Sequence, residues 1–107
     1  MQDLPDPDAA PDMTAVRMGI DAIDRALVAL LARRMRFIER AGVIKTSRDA
    51  VRDEWRKADV LAKVRAEAER AGFPPALAAA VWEVLVEGSI AHEFDVFDAR
   101  LTPSDAD

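Results

Sequence analysis

The chain has 107 residues, 50% of them hydrophobic and 33% charged, enough for one small domain with its own core. A formal charge of -5 and a pI near 4.9 argue against nucleic acid or an anionic membrane as partner, since both call for a basic face. There is no cysteine, which excludes disulfide staples and thiolate metal sites, and no apolar run, Ala26 to Ala32 included, is long enough to cross a bilayer.

Residues 1–12, MQDLPDPDAAPD, have the composition of a disordered acidic tail and lack the basic and then apolar segments of a secretory signal. A cytoplasmic protein is the expectation. Residues 13–100 predict three helices and no strand, an all-α domain, and residues 101–107, LTPSDAD, read as a C-terminal tail. The first helix is predicted from Met13, capped by Asp12, to about Lys45. A second is predicted from Ala50, with Asp49 as its cap, to about Ala71, where Gly72 stops it. Pro75 then stands in the first turn of a third, which runs to about Arg100.

The first helix is the most informative element. Val16, Ile20, Ile23, Leu27 and Leu30 step by four, three, four and three, the seam of a helix packed on other helices. The next step lands on Arg34, and a guanidinium on a buried seam needs a carboxylate, a phosphate or water to meet it. At 1.5 Å per residue the helix is a rod of about 50 Å, whereas a compact domain of this size has a radius of gyration of roughly 13 Å. Two shorter helices of the same chain cannot wrap such a rod, so a homodimer with paired long helices is expected.

Axial distances sort the basic residues. Lys45 lies eleven residues beyond Arg34, about 16 Å of rise, and two long side chains leaning together can hold a small anion between them. Arg17 is seventeen residues before Arg34, about 25 Å away, and can share that ligand only from an antiparallel partner chain. VRDEWRKAD at the start of the second helix adds Asp53, Arg56 and Lys57 on one side, and the third carries Ser89 and Glu93 in line with Trp82 and Leu85. The four cations Arg17, Arg34, Lys45 and Arg56, with an Asp, a Ser and a Glu, facing one interior suit a small molecule with two carboxylates.

Each residue also has a plain structural reading. Arg17, Lys45 and Arg56, taken singly, are solvated charges, Arg34 is a structural ion pair with Glu39 or Asp53, and Ser89 with Glu93 is a polar edge. His92, the only histidine, has no ligand partners at metal spacing and reads as exposed or structural. Trp55 and Trp82 read as core or helix-contact residues.

The joint pattern resembles the all-helical, type II chorismate mutases. It consists of VRMGIDAID, LLARR, a lysine eleven residues after the second arginine of that pair, VRDEWR and SIAHE, spread over about residues 13–97. The resemblance implies an intertwined helical homodimer with two sites shared between subunits, needing no cofactor and no metal. It implies that Arg17 comes from the neighbouring subunit to grip one carboxylate while Arg34 binds the other. Lys45 would donate to the ether oxygen with Glu93 on its other side, Asp53 and Arg56 would line the ring end, and Ser89 would lie near a carboxylate. The implied reaction, in the shikimate pathway that feeds aromatic amino acid biosynthesis, is the [3,3] rearrangement of chorismate to prephenate.

Two positions depart from the family pattern. Glu93 stands where many members have glutamine, so it donates only when protonated, and Lys57 stands where some have a glutamate that contacts the C4 hydroxyl. The second departure keeps an isochorismate-pyruvate lyase in view as the alternative, ahead of a mutase of an amino-substituted chorismate. A catalytically silent helical dimer, acting as adaptor or regulator, is the non-enzyme alternative, and it has no need of converging cations.

Overall fold

A computed structural model describes residues 3–101, and among these there are helices and turns but no strand. The three helices are α1 (Met13–Ile44), α2 (Glu54–Ala71) and α3 (Pro75–Leu101), with short 3-10 turns at Pro7–Ala9 and Arg48–Ala50. No helix among the described residues is long and apolar enough to cross a membrane.

Local chemistry explains most of the boundaries. Asp12 caps α1, its Oδ1 accepting from the Ala15 N–H at 2.8 Å. Gly72 ends α2 in the left-handed region (φ 74), and the N–H groups of Gly72 and Phe73 satisfy carbonyls of the last turn. The start of α2 differs from the sequence expectation. Asp49 sits in a 3-10 turn capped by Ser47, and the N-cap of α2 is Asp53, whose Oδ1 accepts from the Arg56 N–H at 3.0 Å. The reason is Val51, only 3% exposed: it anchors the connection in the core, and the backbone is extended at Asp53 before the helix begins.

Contacts divide the chain into two units, the first ending at Arg36 and the second beginning at Phe37. In the first unit, Asp6 caps the 3-10 turn and Pro5 lies close to Gly19 of α1. Ile20, Leu27 and Leu30 of the α1 seam remain 53%, 49% and 53% exposed, so this chain alone does not cover them.

The second unit holds the C-terminal end of α1 with α2 and α3. Its core is Val51, Val86, Ile90 and Phe97, flanked by the half-buried Val60, Trp82 and Phe94. Along α3 the buried stripe runs Ala78, Val86, Ser89, Ile90, Glu93 and Phe97, so two polar residues occupy core positions. Ion pairs fasten α2 to α3 around this core. Lys57 Nζ lies 2.6 Å from Glu83 and 2.8 Å from Glu87, and Arg52 lies 2.6 Å from Glu87.

Hydrogen bonds from Arg52 and then Lys57 hold the Glu87 carboxyl down at about 2. A carboxyl depressed on folding stabilises the fold fully above its unfolded value near 4.5, and that contribution is lost as pH falls toward about 2. Glu87→Gln is therefore expected to lower Tm modestly at pH 7 and to make the loss of stability between those two pH values shallower. Thermal melts across that range check this, and a parent and variant that run parallel would remove the assignment.

Candidate active site

The polar end of the second unit forms where α1 finishes against α3. Lys45 is the first residue beyond α1, but its N–H still bonds the Ala41 carbonyl at 2.9 Å, so the helical ladder fixes its direction. Its Nζ lies 2.6 Å from Glu93 Oε2, with the Glu93 side chain 6% exposed and that of Lys45 29%. The ammonium meets Oε2 as an ion pair, yet no donor is aligned on that oxygen for a hydrogen bond. A buried carboxylate oxygen in this state has capacity for a proton or for a ligand's donor. One turn earlier on the same stripe, the buried Ser89 donates its hydroxyl to the Leu85 carbonyl at 2.7 Å.

The other predicted residues are placed as follows. Arg17 is exposed and Arg34 half-buried, both on α1 in the first unit. Asp53 uses its carboxylate as the cap of α2. Arg56 donates to Asp59 at 2.9 Å and lines an apolar groove with Val60, Phe73, Ala78 and Trp82, to which neither Ser89 nor Glu93 contributes. Lys57 is engaged by Glu83 and Glu87. Within the second unit the structure thus brings Lys45 to Glu93, with Ser89 on the same face, and turns Arg56 and Lys57 toward acids of their own. His92 Nε2 lies 2.8 Å from Glu39, one of the acids considered for Arg34. Among the described residues no cluster of His, Cys, Asp or Glu is arranged to hold a metal.

Sequence reading missed several supports of this end. Arg48 makes a two-pronged contact with Asp98 (2.9 and 3.2 Å), and its guanidinium lies over the Phe94 ring. Arg48 holds the Asp98 carboxyl below its ordinary value by that hydrogen bond. Arg100 Nη1 donates to the carbonyls of Gly42 and Val43, and Gly42 is buried against Val96. Gly42 carried only a weak signal as a glycine inside a helical pattern, since Gly19 and Gly88 also lie inside helices and have no comparably close contact. Arg100 carried none.

The family model for chorismate mutase type II matches residues 16–94, a span that takes in Arg17, Arg34, Lys45, Asp53, Arg56, Ser89 and Glu93. The chain belongs to the chorismate mutase type II family. It is 35% identical over 93 residues to the T-protein of Enterobacter agglomerans, an alignment that covers 86% of this chain and 25% of that protein. The chain thus spans about a quarter of the length of that curated relative. Among the candidate residues inside the matched span, Lys45, just beyond α1, and Glu93, in α3, form an ion pair across the two helices.

The pair is asymmetric, because Glu93 is the more buried partner. Lys45→Met strands a carboxylate in the core and is expected to lower stability by about 1–3 kcal/mol. Adding Glu93→Gln to that variant should recover much of the loss. Urea unfolding of the two single variants and the double variant checks this; equal and additive losses would mean that the contact contributes nothing.

Proposed function

We propose that this chain is a chorismate mutase, an isomerase that converts chorismate to prephenate by a concerted [3,3] rearrangement. The observation that carries the reading is the buried Glu93 carboxylate held 2.6 Å from the Lys45 ammonium inside the span matched by the family. In the rearrangement a C–O bond breaks as a C–C bond forms, and negative charge grows on the ether oxygen. Catalysis then consists of holding the folded reactive conformer and meeting that charge with donors, with no nucleophile, cofactor or metal required. Lys45 supplies one donor and protonated Glu93 the other, while Arg34 grips one carboxylate and the partner subunit's Arg17 grips the second. Asp53, Arg56 and Ser89 complete the substrate contacts.

The half-exposed apolar seam of α1 and the length of that helix support a homodimer with sites shared between subunits. The cytoplasm suits this acidic, cysteine-free chain. Lys57, tied to Glu83 and Glu87, supplies no acceptor for a C4 hydroxyl, and this one feature favours the second reading, an isochorismate-pyruvate lyase.

Incubation with chorismate should yield prephenate, and incubation with isochorismate should yield little salicylate and pyruvate; the reverse outcome establishes the lyase. A carboxyl group donates only when protonated, whereas an amide always carries donors, so Glu93→Gln should keep or raise kcat/KM for chorismate. A large loss of rate in that variant would remove Glu93 as a donor and leave Lys45 as the sole one.

Shared sites make a separate demand. Arg17→Ala and Arg34→Ala chains should each be nearly inactive as homodimers, since losing a charged carboxylate anchor costs on the order of several kcal/mol of transition-state binding. Mixed and re-paired, they should regain activity through the one intact site of each heterodimer. Heterodimers that form and stay inactive would sink the shared-site arrangement.

A further inference from the structure

Four carbonyls at the C-terminal end of a helix lack partners within it, and the helix dipole leaves that end partly negative. In α1 the Ala41 carbonyl is taken by the Lys45 N–H, and the last turn contains no basic residue of its own. The cation comes instead from α3. Arg100 Nη1 donates to the Gly42 carbonyl at 2.8 Å and also to that of Val43, and its guanidinium lies 4.2 Å from the centre of the Phe97 ring, which is buried in the core.

Gly42 sets the other side of the same contact. A Cβ there would stand 3.0 Å from Val96 Cγ1, 3.2 Å from Val96 Cβ and 3.3 Å from the Glu93 carbonyl oxygen. The end of α1 therefore touches the backbone of Glu93 itself, and the absence of a side chain allows the approach. Three residues later the Lys45 ammonium meets the Glu93 carboxylate. Main-chain contact and side-chain contact involve the same residue, so any shift of the α1 end along or away from α3 moves Nζ relative to Oε2.

We infer that Arg100 is a positioning residue, which holds the carbonyls of Gly42 and Val43 so that the Lys45 ammonium stands against the Glu93 carboxylate. The inference rests on the mutase reading for its catalytic consequence, while the clamp itself is a property of the fold. Without Arg100 the last turn of α1 loses its cation, and Lys45, already partly exposed, is free to swing toward water. The carboxylate grips do not depend on this turn, so the loss belongs to kcat.

The test compares Arg100→Ala, Arg100→Lys and Gly42→Ala with the parent chain. Arg100→Ala should lower kcat roughly tenfold with KM within about twofold, and Arg100→Lys, which keeps a donor and a charge, should restore most of the rate. Gly42→Ala, which forces Val96 and the Glu93 backbone to give by a few tenths of an ångström, should reproduce the kcat loss from the opposite side. Amide hydrogen exchange supplies a readout without substrate: protection of the Lys45 N–H should fall in Arg100→Ala, recover in Arg100→Lys, and stay unchanged across α2. Unchanged kcat with unchanged Lys45 protection overturns the inference. So does a kcat loss accompanied by an equal rise in KM and by lost protection across α2, the mark of general loosening. A parent chain without mutase activity but with the expected exchange pattern would refute the proposed function and leave the clamp standing.

Discussion

The constraint on which this structure depends is a carboxylate in a core. Glu93 lies on the buried stripe of α3 between Ile90 and Phe97, where a charge is tolerated only with a counter-charge at hand. That requirement is met by Lys45, just beyond α1, and the approach beside it is close enough to call for a glycine, Gly42. The last turn of α3 reaches back to the carbonyls of Gly42 and Val43.

The start of α2 is held by a different principle. Its anchors are partly exposed ion pairs, individually weak, joined into a cluster in which Glu87 serves both Arg52 and Lys57. Asp53 and Arg56 sit between these anchors, so the cluster fixes the register of a helix whose own interior packing is light. Ala68 is the one buried residue of α2.

Helix type and number were legible because apolar spacing, Asp12, Gly72 and Pro75 all act locally. The beginning of α2 was not, since Asp49 and Asp53 are both good caps, and the choice between them is made by burial of Val51, a tertiary event. Lys45 and Glu93 were legible as candidates by their spacing and by family resemblance, and the structure brings the two side chains together. The direction of Arg56 and Lys57 was not legible, because the acids that take them, Asp59, Glu83 and Glu87, look in sequence like any other solvated charge. Arg100 was invisible for a similar reason: what it binds is backbone, which leaves no mark in the residue code.

The unequal burial of Lys45 and Glu93 gives this pair a direction in evolutionary drift. A lineage that first exchanges Glu93 for a neutral amide leaves behind a lysine with 29% of its side chain in water, which the solvent can hydrate. A lineage that first loses Lys45 must pass through a chain with an unmatched charge in its interior. Substitutions at these two positions are therefore not interchangeable in order, and descendants lacking the lysine but keeping the glutamate should be rare among folded relatives.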